Sequence, residues 1–259
     1  MEIVVLVKQV PDTWAERKLR DDDKTLDRDS VDAVINEIDE YAVEEALKIK
    51  EAHGGEVTVL SMGPERALET IRKALAMGVD KAVHLCDDAL HGSCAPQTSH
   101  ALAKALGTLE FDLVICGSEA VDARVSAMGA LLAERLALPQ LTGARKVDID
   151  GTSVRIERQT ESGYEVVEAA MPAVVSVVEK INEPRYPSFK GIMAAKKKPL
   201  TMLSIADAGI AADEVGLANA TSEVVDFRAR PPREAGQIVK DEGDGGAQLA
   251  AFFVTQKLI

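Results

Sequence analysis

The stretch of greatest chemical promise is Cys116-Gly117-Ser118-Glu119-Ala120-Val121-Asp122, which leaves an apolar run and enters a helical pattern after a loop. Such a junction offers free backbone N–H groups and the positive end of a helix dipole, both suited to a phosphate. It is neither a Walker A loop nor a GxGxxG fingerprint, because the required glycines and lysine are missing. A nucleotide-binding turn and an ordinary capped strand-to-helix turn both remain compatible with it. His84, Cys86, Asp87, Asp88, His91 and Cys94 crowd a second stretch. Imidazole and thiolate are the usual zinc ligands, yet these spacings match no closed structural site, and no metal site is expected. Cys86 and Cys116 read more simply as small buried residues at strand ends. The four histidines form no nucleophile–base pair, and GxSxG, HExxH and paired-carboxylate motifs are absent. No catalytic residue is therefore expected, and redox or transfer chemistry would belong to a bound cofactor.

A third stretch, from Ile181 to Lys198, stands out by charge. The chain carries 43 acidic and 30 basic residues, a net charge of −13. Against that background six basic residues gather between Lys180 and Lys198, namely Lys180, Arg185, Lys190, Lys196, Lys197 and Lys198, around Tyr186, Phe189, Ile192 and Met193. An apolar tip in a basic rim suits a partner-docking loop, in which the anchor and the charge steering are separated. The competing reading is a solvated loop whose apolar residues pack back on the core.

The elements that must position these groups follow from hydrophobic patterning. Ile3–Val7, Val57–Leu60, Ala82–Leu85 and Leu113–Cys116 are short apolar runs, as in strands buried on both faces. Helical spacing follows over Asn36–Ala52, from Gly63–Pro64 to Gly78, over Gln97–Leu106 and over Ser126–Leu136. Between the first strand and its helix, Asp12–Asp32 is crowded with charge and reads as a solvated loop or small hairpin. Alternation resumes after Pro139, with hairpin signals at Asp150–Gly151 and Ser162–Gly163 and a last buried strand at Ala173–Val178. The expected fold is therefore α/β: a Rossmann-like parallel sheet with helices on both faces, added β-hairpin strands and an extended C-terminal arm. The expected boundaries are 1–183 for a nucleotide-binding domain, 184–198 for the docking loop and 199–259 for the arm.

Composition narrows the function classes. An acidic chain with 3% aromatic residues is poorly suited to nucleic acid, which needs excess Lys and Arg or stacking platforms. No apolar run approaches the roughly 20 residues that span a bilayer, so no membrane insertion is expected. With a strand pattern beginning at Glu2, no signal peptide is expected. Three cysteines without a CxxC pair fit a reducing compartment, and a cytoplasmic location is expected.

Longer strings give the family. Val7-Lys-Gln-Val-Pro-Asp12, Ala42-Val-Glu-Glu-Ala46, Ser61-Met-Gly-Pro64, Ile71-Arg-Lys-Ala-Leu-Ala-Met-Gly78 and Gly117-Ser-Glu-Ala-Val-Asp122 occur in order. Ile156-Glu-Arg158, Glu161, Gly163, Glu165 and Pro172-Ala-Val-Val-Ser176 follow, then Asn182-Glu-Pro-Arg-Tyr186 and Ile192-Met-Ala-Ala-Lys-Lys-Lys198. Along nearly its whole length the chain resembles the beta (small) subunit of electron transfer flavoproteins. The resemblance implies a heterodimer with a larger alpha subunit, which holds most contacts to a redox-active FAD, while the beta subunit buries a structural AMP. It implies electron uptake from flavin dehydrogenases, typically of acyl-CoA oxidation, and delivery to a quinone oxidoreductase.

Carried over by residue, the AMP site takes Leu6, Asn36, Glu37, Ile38, Asp39, Met62 and the loop Gly117, Ser118, Glu119, Ala120, Val121, Asp122, Arg124, Val125, Ser126, Ala127, Met128 and Gly129. Thr13, Trp14, Ile38 and Arg158 fall where the beta subunit approaches the FAD. Tyr186, Phe189, Lys190, Ile192, Met193, Lys196 and Lys197 fall in the family's recognition loop, with Phe189 as the anchor where relatives often have Leu. The loop departs from the family pattern at Arg124–Met128, where relatives carry small, glycine or Asn/Gln-Thr-type residues. In electron-bifurcating, NADH-reactive relatives a second FAD occupies the AMP site. A stand-alone adenine-nucleotide-binding protein is a further alternative, and it would call for a glycine-rich triphosphate loop that is absent here.

Overall fold

The computed structural model describes residues 1–229, 231, 236 and 238–259. Met1–Val225 forms one compact unit and Asp226–Ile259 a second. The first opens with β1 (Glu2–Leu6), a short antiparallel pair β2 (Gln9–Pro11) and β3 (Ala33–Ile35), and helix α1 (Glu37–His53). Then come β4 (Glu56–Met62), α2 (Leu68–Met77), β5 (Lys81–Leu85), α3 (Ala95–Leu106), β6 (Leu113–Gly117) and α4 (Met128–Leu136). An antiparallel meander of β7 (Gln140–Asp150), β8 (Ser153–Gln159) and β9 (Tyr164–Ala170) follows, then β10 (Ala173–Val177), which returns to lie parallel between β6 and β7, and then α5 (Phe189–Ala195) and β11 (Leu200–Leu203).

One nine-stranded sheet runs in the order β11-β5-β4-β1-β6-β10-β7-β8-β9. Its first seven strands are mutually parallel, and β8 and β9 extend it as an antiparallel hairpin. Alternation within each strand explains the two-sided core. Ile3, Val5, Val57, Val59, Leu113 and Ile115 face α1 and α2, while Val4, Leu6, Leu60, Val114 and Cys116 face α3 and α4. A fully buried aliphatic side chain contributes roughly 1.5–3 kcal/mol, so these two layers dominate the stability. Helix ends follow their local chemistry: Gly54 and Gly78 stop α1 and α2 at positive φ, and Pro96 sits in the first turn of α3. Among the described residues no helix is long and apolar enough to cross a membrane.

Three elements differ from the sequence reading. β7 begins at Gln140, earlier than the alternation suggests, because its first residues pair with β10 inside the parallel sheet and are sheltered there. The segment after Pro184 lacks strong periodicity, yet it contains α5 and the edge strand β11. Both are too short to show a period and are held by packing on α2 and pairing with β5. Cys86 is half-buried instead of sealed in the core, whereas Cys116 is buried. The second unit carries one helix, α6 (Gly245–Thr255), none of whose residues is buried. Leu249, Phe252, Val254, Leu258 and Ile259 stand exposed there, with the Phe252 and Phe253 rings 6.2 Å apart.

Candidate functional site at the ends of β1 and β6

The order of the sheet reverses between β1 and β6: the chain runs outward from β1 through β4 and β5 on one side and through β6 on the other. Such a reversal point, outside the carboxyl ends of the two strands, is the usual place for a ligand crevice in open α/β sheets. The loops leaving these strands carry Lys8 after β1 and Gly117–Ala127 after β6.

Asn36 and Asp39, at the start of α1, fasten this junction. Asn36 is fully buried but does not cap its own helix. Its Nδ2 donates to the Glu119 carbonyl at 2.9 Å, and its Oδ1 accepts from the Val121 N–H at 3.0 Å. Asp39 accepts from the Lys8 N–H at 2.8 Å and from the Gly117 N–H. A Cβ on Gly117 would lie 2.6 Å from Asp39 Oδ1 and 2.9 Å from Ile38 Cγ2, so only glycine lets β6 end this close to α1. Burial pushes the Asp39 carboxyl up to about 7 against the opposing pull of these donors.

Asp122 is the second fixed point. Its side chain is fully buried between two cations: Lys8 Nζ lies at 2.9 Å and Arg28 Nη2 at 2.6 Å. Burial alone would raise its pKa, but Lys8 and Arg28 together outweigh that and hold it below the usual carboxylate range. Burial in turn lowers the pKa of Lys8, and Arg28 adds to this, while Asp122 opposes it. One carboxylate thus ties the end of β1, the 12–32 segment and the β6–α4 loop together.

Beyond Asp122 the loop is exposed and bent. Arg124 and Ser126 adopt left-handed φ values of 49° and 53°. Ser126 Oγ donates to Glu119 Oε2 at 2.6 Å, and Arg124 Nη1 stands 3.9 Å from the same carboxylate. No side chain caps α4, so its first N–H groups at Met128, Gly129 and Ala130 face out of the helix end. Gly129 packs tightly, with its Cβ position 3.3 Å from Ser176 Cβ. Ala120 is half-buried, Val121 buried and Val125 exposed. Leu6 is buried at the end of β1, and Met62 closes β4 on the other side. An anion placed here would meet backbone N–H dipoles and the Arg124 guanidinium, the ingredients of a phosphate site.

The flavin-side candidates are more dispersed. Thr13 Oγ1 donates to Glu37 Oε1 at 3.3 Å, Trp14 is 95% exposed, and Ile38 is buried against Gly117. Trp14 lines a shallow groove with Asp12, Asp29, Val31 and Arg66. Arg158 falls in one row with Ala144, Val177 and Gly117 across four strands, about 14 Å from Gly117 by strand spacing. Its Nε donates to the Thr142 carbonyl at 2.9 Å. The docking candidates sit on and beside α5: Tyr186, Phe189, Lys190, Ile192, Met193, Lys196 and Lys197 are exposed.

The His84–Cys94 stretch separates into unrelated contacts. His84 Nε2 meets the Gly63 carbonyl at 2.9 Å, His91 pairs with Asp23 at 2.7 Å, and Cys94 Sγ lies 3.4 Å from Thr221 Oγ1. Among the described residues no group of three or more His, Cys, Asp or Glu is placed to hold a metal ion. Two site residues escape sequence reasoning: Lys8 as partner of Asp122, and Arg28. Arg28 is one of five basic residues in the charge-crowded 12–32 segment, and nothing in its local spacing separates it from the solvated ones until the fold closes over it.

Residues 23–208 match the electron transfer flavoprotein domain. The electron transfer flavoprotein subunit beta of Mycobacterium tuberculosis is 58% identical over 99% of both chains. That of Thermoanaerobacterium thermosaccharolyticum is 42% identical over 92% of both. The caffeyl-CoA reductase-Etf complex subunit CarD of Acetobacterium woodii is 36% identical, again over 92% of both. With a matching domain over most of its length and full-length similarity to these subunits, the chain belongs to the electron transfer flavoprotein family, as a beta subunit.

Proposed function

We propose that this chain forms a heterodimer with a larger alpha subunit and acts as half of an electron carrier, without catalytic residues of its own. It takes electrons from flavin dehydrogenases, acyl-CoA dehydrogenases among them, and passes them to a quinone oxidoreductase. AMP would occupy the crevice beyond β1 and β6. The observation that carries this reading is the arrangement of Asn36, Asp39 and Asp122, which pins the β6–α4 loop while leaving the start of α4 uncapped. The residues fit a nucleoside monophosphate: N–H groups and Arg124 for one phosphate, with Leu6 and Met62 as apolar neighbours. Arg124 would turn from Glu119 to reach it.

FAD, held mainly by the alpha subunit, supplies the electron-accepting and electron-donating ring. This chain's part would be to bring Thr13, Trp14, Ile38 and Arg158 toward the flavin. The exposed apolar and basic side chains of α5 would dock the dehydrogenase.

A second reading draws support from the Arg124–Met128 loop and from the relative named as part of a caffeyl-CoA reductase complex. It places a second FAD in the AMP site of an electron-bifurcating, NADH-reactive assembly. The deciding experiment is to denature the purified heterodimer and quantify released nucleotides by chromatography. One FAD and one AMP per dimer are expected. Two FADs and no AMP would overturn the carrier reading in favour of the bifurcating one.

A further inference from the structure

The docking helix α5 has only seven residues, too few to hold a helix in water without outside support. Its support comes from α2 and α1. Ser188 Oγ accepts from the Gly191 N–H at 3.0 Å and caps its start. Ala195 is buried in the core that also holds Ala76 and Met77 of α2.

The ends of the two helices serve each other. Arg72 Nη1 on α2 donates to the Ala195 carbonyl at 3.0 Å. Lys198 Nζ, just beyond α5, donates to the carbonyls of Leu75 at 2.9 Å and Val79 at 2.6 Å, at the end of α2. The lysine run therefore divides: Lys196 and Lys197 are exposed, while Lys198 turns inward. On the entry side, Arg185 forks onto Glu44 of α1, with Nε to Oε2 at 2.7 Å and Nη2 to Oε1 at 2.9 Å.

The closest approach is at Gly191. A Cβ there would lie 2.4 Å from the Ala76 carbonyl oxygen of α2, where ordinary contact begins near 3.4 Å. The obstacle is helix backbone, which cannot swing aside as a side chain would. Any other residue at 191 would lift α5 by about 1 Å, against the pull of Arg72 and Lys198. On the opposite face α5 carries Phe189 at 82% exposure, with Ile192 and Met193.

We infer that Gly191 is a positioning residue for partner docking: by seating α5 against the Ala76 carbonyl it sets the height and angle at which Phe189, Ile192 and Met193 meet the dehydrogenase. This rests on the docking role proposed above for α5. Phe189, Ile192 and Met193 make the contact, with Phe189 as its anchor, and Gly191 acts only through them.

The test uses the intact heterodimer as substrate of a purified acyl-CoA dehydrogenase, with wild type, Gly191→Ala, Phe189→Ala and the double variant. Phe189→Ala should raise KM for the heterodimer about tenfold, the effect of losing one interface anchor. Gly191→Ala should raise it about fivefold with kcat within about twofold, FAD content unchanged and circular dichroism unaltered. The double variant should raise KM by less than the product of the two single effects, because the seat acts in part through the anchor. Arg72→Gln, which loosens the same seat from the other end, should raise KM in the same direction and stands in if Gly191→Ala fails to assemble. A raised KM for Phe189→Ala with wild-type KM for Gly191→Ala or, where that does not assemble, for Arg72→Gln would overturn the inference and leave the docking role standing. Wild-type KM for Phe189→Ala would overturn both.

Discussion

Replacing Asp122 by alanine isolates the ion triad at the junction. The carboxylate is fully buried, whereas Lys8 and Arg28 remain 37% and 35% exposed. Removing one partner of a fully buried pair costs about 3–5 kcal/mol, because a charge is left without compensation. Here both cations retain some solvent and can rehydrate, so the cost falls to about 2 kcal/mol. For a chain of this size that corresponds to a melting point lower by roughly 4–8 °C. The assay is thermal unfolding of the heterodimer at pH 7, followed by release of bound nucleotide, since the β6–α4 loop loses one of its two fixed points. Acid should mimic the substitution. Because the folded pKa is depressed, the triad's contribution is present above about pH 4 and is lost as the pH falls through the folded value. Wild-type melting for Asp122→Ala at pH 7 would refute the reasoning, and the triad would then contribute nothing to stability.

Asp39 should titrate in the opposite sense. Its folded pKa of about 7 lies above the unfolded one, so stability from this group is full below about pH 4 and falls away as the pH rises toward 7. The urea midpoint of Asp39→Asn relative to wild type should therefore climb between pH 5 and pH 8, and a flat difference would count against burial as the cause. Trp14 is the one tryptophan of the chain and stands exposed. The emission difference between wild-type and Trp14→Phe heterodimers should be weak when FAD is bound and should recover on its removal; equal emission with and without FAD would remove Trp14 from the flavin's surroundings. Deleting residues 245–259 takes away α6 and its exposed Leu249, Phe252 and Val254, and should weaken association with the alpha subunit by about tenfold or more. Undiminished association in analytical ultracentrifugation would rule the tail out as an anchor.

Much of the α/β framework could be read from the residues, because strands buried on both faces leave continuous apolar runs such as Ile3–Val7 and the intervening helices are long enough to show a period. The start of β7 and the whole of α5 and β11 were hidden for the opposite reason: they are short, and tertiary contacts alone select their conformation. At the site, Asp122 stands in one of the family strings and Asn36 and Asp39 are carried over from the resemblance, but the contacts these three make could not be read from the residues. Asn36 occupies a helix-capping position yet spends its amide on a loop more than 80 residues away. Lys8 and Arg28 were invisible as a pair, since ion pairing across 94 and 114 residues leaves no mark on local spacing. The Gly191 contact likewise depends on the carbonyl of Ala76, and no pattern within residues 189–195 announces it.

The position of β11 bears on how the chain reaches its native state during synthesis. β5 has one neighbour, β4, from the first half of the chain; its other edge is covered only by Leu200–Leu203, about 115 residues later. At ordinary elongation rates that interval lasts roughly 6–23 s. Throughout it the nascent polypeptide displays the unsatisfied amides and carbonyls of Lys81–Leu85 along an apolar margin, the kind of template on which neighbouring chains coalesce. Only Lys81 offers a charge on that margin, so the strand's own composition does little to guard it until β11 emerges.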